Sequence, residues 1–317
     1  MKNLFQKNKM EFSVIGAFII IMLAFFIANP TVFLSFNTYK AVFTVLPITI
    51  ILTVALVFMI SSGELDLSFP SIIGLSAWTF AGLTKLTGNP YIGMFAALVV
   101  GSLAGLINGL LVTKLKLSSL VATLGMNFLI RGFIMIFTQG FGISLLFLKD
   151  TLFYNIFVGH IGNLPIQMIW GILFAIFAWL LFNRHKFGAY VCYIGDNTMS
   201  SKEMGIKVDN IKILTFTLVG FTASFASIFV VLINQMFWPT AGEGYLLVIL
   251  SAVFLGGTPT WGGIGTIVGG LVGAFIIGFL ETGIIASGLT GFYTQFFFGL
   301  IIIFSLISHR FAGLTKK

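Results

Sequence analysis

Charge is scarce in this 317-residue chain, with seventeen Lys and Arg and nine Asp and Glu, so the few charges inside apolar surroundings stand out. Glu64 and Asp66 lie in SSGELDLSFPSIIGLSA, residues 61–77, between apolar runs, with Gly63 and Pro70 on either side to interrupt helix. An acid at the centre of a membrane span costs roughly 2.5–3.5 kcal/mol on insertion scales, so such residues face a cavity or a partner. Two readings of the segment stand side by side. It is a cytoplasmic turn in which Asp66 or Ser68 caps the next helix, or it lies on or near the path of a polar solute. Arg131 sits twelve residues into an apolar run that begins near Ser119, about 18 Å along a helix. It must be paired, snorkelled or hydrated, and Glu64 and Asp66 are its candidate partners. Glu64, Asp66, Ser68, Asn127 and Arg131 form the candidate set for a pathway or gate.

Catalytic chemistry finds little purchase. The single cysteine, Cys192, forms no internal disulfide, and Cys192, His160, His185 and His309 lack metal-ligand spacing. No nucleophile elbow, metalloprotease histidine pair or chain of buried acids is visible, and no glycine-rich phosphate loop ends in Gly-Lys-Ser/Thr. We expect no enzyme activity, cofactor or metal. If ATP drives a process here, another subunit hydrolyses it.

The elements that must position these residues are membrane helices. Hydrophobic residues make up 58%, charged residues 8%, and the mean hydropathy is +1.09, where soluble domains carry roughly a quarter charged residues. Apolar runs of about 17 to 23 residues suit a hydrocarbon core of roughly 30 Å, which predicts an all-α polytopic protein. A transmembrane barrel would show short alternating strands instead. Ten segments are expected near 12–28, 41–60, 70–86, 91–113, 119–138, 165–183, 213–234, 246–258, 264–281 and 292–308. The runs 70–86 and 246–258 are candidates for broken or re-entrant helices. The first run follows MKNLFQKNKMEF without a small-residue cleavage site, so it reads as a retained span.

Threading ten spans from a cytoplasmic N-terminus puts thirteen Lys and Arg inside and only Lys40, Lys85 and Lys149 outside. That bias predicts cytoplasmic termini. It also assigns the net charge of +8 to membrane topology rather than to nucleic acid. The outer connection, 139–164, is aromatic and apolar and suits an interfacial segment. The inner one, 184–212, is the most polar stretch and the expected contact for a soluble partner. Within it, Thr198 with Ser201 and Ser200 with Glu203 are capping patterns for a short helix ending at Gly205. In 254–283, Gly256, Gly257, Pro259, Gly262, Gly263 and Gly265 interrupt the apolar pattern and answer the 61–70 interruption, as paired repeats of a transporter do. Gly269, Gly270, Gly273 and Gly278 then read as helix packing.

Four ordered blocks resemble the permease subunits of bacterial ABC importers for simple sugars, the ribose- and autoinducer-type group. Gly63-Glu64-Leu65-Asp66-Leu67-Ser68 is similar to the family's Gly-Gly-Ile-Asp-Leu-Ser signature. Asn108-Gly109-Leu110-Leu111-Val112, Lys114 to Leu117, Ala122-Thr123-Leu124-Gly125 and Arg131-Gly132 resemble its central block. Phe187-Gly188, Ile194-Gly195, Asn197 and Gly205-Ile206 with Val208 resemble its cytoplasmic loop, and Gly244-Tyr245 through Thr266 its C-terminal block. The chain departs at Glu64, where the family has a second glycine, and at Phe69-Pro70, Ser200-Ser201-Lys202 and Pro259-Thr260-Trp261. Such drift would suit half of a heterodimer.

The resemblance implies a single permease domain, 1–317, of about ten helices in the manner of the cobalamin importer, in the bacterial cytoplasmic membrane. It implies a second permease copy or paralogue, cytoplasmic ATPase subunits and an extracytoplasmic solute-binding protein. The ATPase-coupling helix maps onto Gly195, Asp196, Asn197, Thr198, Ser200, Ser201, Lys202, Glu203, Met204 and Gly205. A monosaccharide or related molecule is the expected solute. The alternatives are a nucleoside or branched-chain amino acid, or an ion-coupled secondary transporter using Glu64, Asp66 and Arg131; an intramembrane enzyme is disfavoured.

Overall fold

A computed structural model describes residues 9–288 and 291–311. Fourteen α-helices account for most of them. In chain order they are α1 (Lys9–Ala28), α2 (Pro30–Phe33), α3 (Phe36–Ser61), α4 (Phe69–Thr87), α5 (Pro90–Thr113), α6 (Ser119–Thr138), α7 (Leu152–Val158), α8 (Ile166–Asn183), α9 (Lys186–Asp196), α10 (Thr198–Glu203), α11 (Val208–Asn234), α12 (Tyr245–Leu255), α13 (Ile267–Ala286) and α14 (Phe292–Phe311). Each of the ten expected segments overlaps one helix, with 246–258 and 264–281 running past the helix ends into non-helical chain. Seven of them, α1, α3, α5, α6, α8, α11 and α13, are long and apolar enough to cross a membrane. The protein is an all-α, multi-pass membrane protein.

The two doubtful segments resolve differently. Helix α4 is continuous for 19 residues, but it buries Ser71, Ser76 and Thr84. A helix wrapped by protein need not be apolar all round. Helix α12 has only 11 residues, about 16 Å at helical rise, and gives way to non-helical chain over 256–266.

The chain forms two compact units. The first takes the described residues up to Gly63, then Gly171–Asp196, then those from Leu247 onward. Here α13 packs on α1 and α3. A Cβ on Gly269 would lie 2.0 Å from the Gly256 carbonyl oxygen, and one on Gly273 2.1 Å from that of Ala252, so small residues let α12 and α13 touch backbone to backbone. The second unit takes Glu64–Trp170 and Asn197–Leu246. There α4 is packed by α5, α6 and α11. Gly101 and Gly105 of α5 meet Gly220 and Phe216 of α11, with no room for a side-chain carbon at either glycine.

The expected interfacial segment of the second unit is a compact cap. Strand β1 (Ile143–Ser144) pairs antiparallel with β4 (Met236–Phe237), and β2 (His160–Ile161) pairs with β3 (Leu164–Pro165). Between them α7 buries Phe153 and Phe157 and exposes Leu152. Phe157 stacks on Trp170 at 5.5 Å, which pins the amphipathic turn to the helices beneath it.

Candidate functional site

Helix α3 stops at Ser61, and Gly63 adopts φ +81°, a left-handed conformation that costs glycine little. Chain 62–68 stays unwound until Pro70, in the first turn of α4, restarts the helix. Unwound backbone inside a membrane protein must find donors and acceptors in the surrounding protein. Two hydroxyls of α6 provide them: the Leu65 amide donates to Ser119 Oγ at 3.3 Å and the Leu67 amide to Thr123 Oγ1 at 3.0 Å.

Asp66 is 1% exposed. Its Oδ1 accepts from the Ser68 amide at 2.7 Å and the Ser68 hydroxyl at 2.6 Å. The carboxylate therefore caps α4, and the capping role expected of Asp66 or Ser68 falls to Asp66, since the Ser68 side chain makes no cap bond of its own. Ser68 Oγ in turn accepts from Asn108 Nδ2 at 2.6 Å. Asp66 Oδ2 and Asn108 Oδ1 have no partner among the described residues. Burial pushes the Asp66 carboxyl above its ordinary pKa, while the bonds from Ser68 pull the other way.

Glu64 pairs with Lys212, and both side chains are largely buried. The expectation that Glu64 or Asp66 neutralises Arg131 is thereby corrected. Arg131 Nε lies 3.4 Å from Glu243 Oε1, and Nη1 donates to the carbonyls of Pro239 at 2.6 Å and Ala241 at 3.1 Å. The chain after β4 returns to meet it. Asn127 lies one turn before Arg131, its Oδ1 buried without a partner among the described residues. Ser119, Thr123, Asn127 and Arg131 recur every four residues, which puts them on one face of α6. That stripe was open to reading in the sequence. Lys212, Asn108 and Glu243 give no comparable local signal, because their partners are distant in the chain.

The inner connection is two helices. In the first unit α9 ends at Gly195 and Asp196. A Cβ on Gly195 would lie 1.9 Å from the Ser61 carbonyl oxygen and 2.5 Å from the Gly263 amide nitrogen. In the second unit Asn197 opens α10, accepting from the amides of Met199 at 3.0 Å and Ser200 at 3.1 Å. The cap is therefore Asn197, one residue before the expected Thr198. Ser201 is buried, whereas Met199, Ser200, Lys202, Glu203 and Met204 are exposed. Gly205 closes the turn at φ +79°.

The polar segments thus lie within a helical scaffold whose relatives are transport proteins. Residues 38–306 match the family described as branched-chain amino acid transport system / permease component. The chain belongs to this permease family. It is 32% identical over 278 residues to the ribose import permease protein RbsC of Escherichia coli (strain K12), covering 86% of each chain. To RbsC of Bacillus subtilis (strain 168) it is 31% identical, covering 93% of this permease and 91% of the relative. The autoinducer 2 import system permease protein LsrC of Yersinia pseudotuberculosis serotype O:3 is 30% identical, covering 87% and 78% respectively. No solved structure matches the permease.

Proposed function

We propose that this chain is the membrane-spanning subunit of an ATP-driven importer and forms the path for a monosaccharide or a related sugar-like solute. The observation that carries the reading is the 32% identity to a ribose import permease over 86% of both chains, which includes both interrupted segments and the inner connection. In this reading the two units act as one permease domain, paired with a second copy or paralogue. A solute-binding protein delivers from outside, and ATPase subunits bind inside.

The termini and the 184–212 connection take the cytoplasmic side, following the basic bias. The exposed face of α10, with Met199 and Met204 as its apolar contacts, docks the ATPase through the segment Gly195 to Gly205. Nucleotide-driven closure then shifts the population of inward- and outward-facing states, a task that needs differential contacts and no catalytic side chain. Glu64, Asp66, Ser68, Asn127 and Arg131 act on the pathway as supports of its unwound walls.

A gentle pull-down of the tagged chain from native membranes tests this. We expect a stoichiometric ATPase subunit that is lost when 195–205 is disrupted, and ribose uptake that requires it. A chain that comes out alone, and by itself drives solute accumulation in vesicles with an ion gradient, is a secondary transporter instead. Uptake of a nucleoside or branched-chain amino acid by the intact complex would keep the importer and change its cargo.

A further inference from the structure

Glu243 is the charged residue whose surroundings fit its chemistry least. Helix α6 is long and apolar enough to cross a membrane, and Arg131 stands about 18 Å along its 20 residues, which in a spanning helix is close to the middle of a hydrocarbon core of roughly 30 Å. The bonds from Arg131 to Pro239, Ala241 and Glu243 bring the 239–243 loop to the same depth. Gly242, at φ +91°, is pressed so tightly on Pro70 that a Cβ would lie 2.0 Å from its carbonyl oxygen, which fixes the loop against the start of α4. Yet the Glu243 side chain is 55% exposed, while that of Arg131 is 14% exposed. Glu243 Oε2 has no protein partner among the described residues. A half-exposed carboxylate at this depth does not face lipid.

We propose that Glu243 faces the water-filled pathway near mid-membrane and accepts hydrogen bonds there from the hydroxyls of a neutral, polyhydroxylated solute. Arg131 supplies the charge that keeps the pair neutral overall, which favours an uncharged solute over an anion or a cation. The free carboxylate oxygen is a strong acceptor with no donor of its own, suited to vicinal hydroxyl groups. The proposal rests on the permease reading for its solute class; the placement in water does not.

The test uses the full chain in its native membranes, with Cys192→Ser to remove the native thiol. A water-soluble thiol reagent is applied to Glu243→Cys, and to Thr240→Cys, an exposed neighbour without a side-chain hydrogen bond. Ile20→Cys on the exposed face of α1 serves as the lipid-facing control. Thiols react as thiolates, which hydrocarbon does not support, so both loop variants should label roughly 100-fold faster than Ile20→Cys. Labelling of both at the Ile20→Cys rate overturns the proposal. Glu243→Gln keeps the shape and leaves the two carbonyl bonds of Arg131 intact. With saturating binding protein, its radiolabelled ribose uptake should fall about tenfold while ATPase assembly persists, the loss expected for a hydrogen bond to a charged acceptor. Unchanged uptake also overturns the proposal. If the unaltered complex takes up no ribose, the solute reading fails separately, and labelling still decides whether Glu243 meets water.

Discussion

The amide of Gly263 donates a 2.9 Å hydrogen bond to the carbonyl of Ser61, and Gly195 lies against both ends of that bond. Within one unit this ties the last turn of α3 and the glycine-rich 256–266 loop to the end of α9. No rotamer relieves a Cβ that starts 1.9 Å from a carbonyl oxygen. Gly195→Ala should therefore cost at least about 1–3 kcal/mol, the range for overpacking, seen as a lowered melting temperature of the purified protein. Gly205→Ala has open space around it but a left-handed backbone at φ +79°, so its cost should be smaller, about 1–2 kcal/mol. If Gly195→Ala melts like the unaltered protein, the close approach is not a constraint on the fold.

Asp66 supplies a pH-dependent prediction. Its carboxyl is raised by burial, so the folded protein holds the proton more tightly than the unfolded chain does. The stability this contributes is fully present below the unfolded pKa of about 3.9 and is lost as pH rises through the folded value. Asn at 66 retains an acceptor for Ser68 and offers an amide donor to the unpartnered Asn108 Oδ1 without carrying charge. Asp66→Asn should therefore gain on the unaltered protein as melts move from pH 4 to pH 8, and Asp66→Ala, which also lacks the titrating carboxyl, should follow the same trend about 1–2 kcal/mol below Asp66→Asn through the missing cap. A gap that closes in the opposite direction would show that the buried carboxylate is favoured in its charged form.

What the sequence makes legible here follows from lipid. Apolar run length marks a helix in each of the ten expected segments, seven of them long and apolar enough to cross a membrane, and α6 coincides with its expected bounds at Ser119 and Thr138. Contacts between helices are harder, because nearly every face is apolar and periodicity loses contrast. Gly101, Gly105 and Gly109 recur at spacing four and carry the α5–α11 crossing, but the chain holds 36 glycines that offer many such patterns. The partner of Arg131 was hidden for another reason. Glu243 is 112 residues away along the chain, on a loop whose return into the protein no local pattern announces. Glu64 and Asp66 stood out as charges, yet their separate fates, one in an ion pair and one in a cap, depend on Lys212 and on the unwinding of 62–68.

The Glu64 and Lys212 pair joins the unwound segment to α11 within one unit, with side chains 13% and 16% exposed. Removing one partner of such a pair leaves a buried charge and costs about 3–5 kcal/mol. Glu64→Lys and Lys212→Glu each bring like charges together, so each should reduce the yield of folded protein and its melting temperature. The double exchange restores an opposite pair at the same place and should recover most of the loss. Equal damage in the double variant would mean that each residue acts through other neighbours.

Cys192 gives a probe of α9 that needs no mutation, since it is the chain's single cysteine. Burial pushes its thiol up to about 11, and the thiolate is the species that reacts. At pH 7 the thiolate is about one part in ten thousand at that pKa, against a few per cent for an ordinary cysteine of pKa about 8.5. Maleimide labelling of the purified protein should therefore be slow at neutral pH and rise close to tenfold per pH unit up to pH 9. Gly195→Ala, by prising the end of α9 from Ser61, should expose the thiol and speed labelling at pH 7. Fast neutral labelling of the unaltered protein would mean that α9 is not packed against its unit in solution, and the stability assigned to Gly195 would have to come from elsewhere.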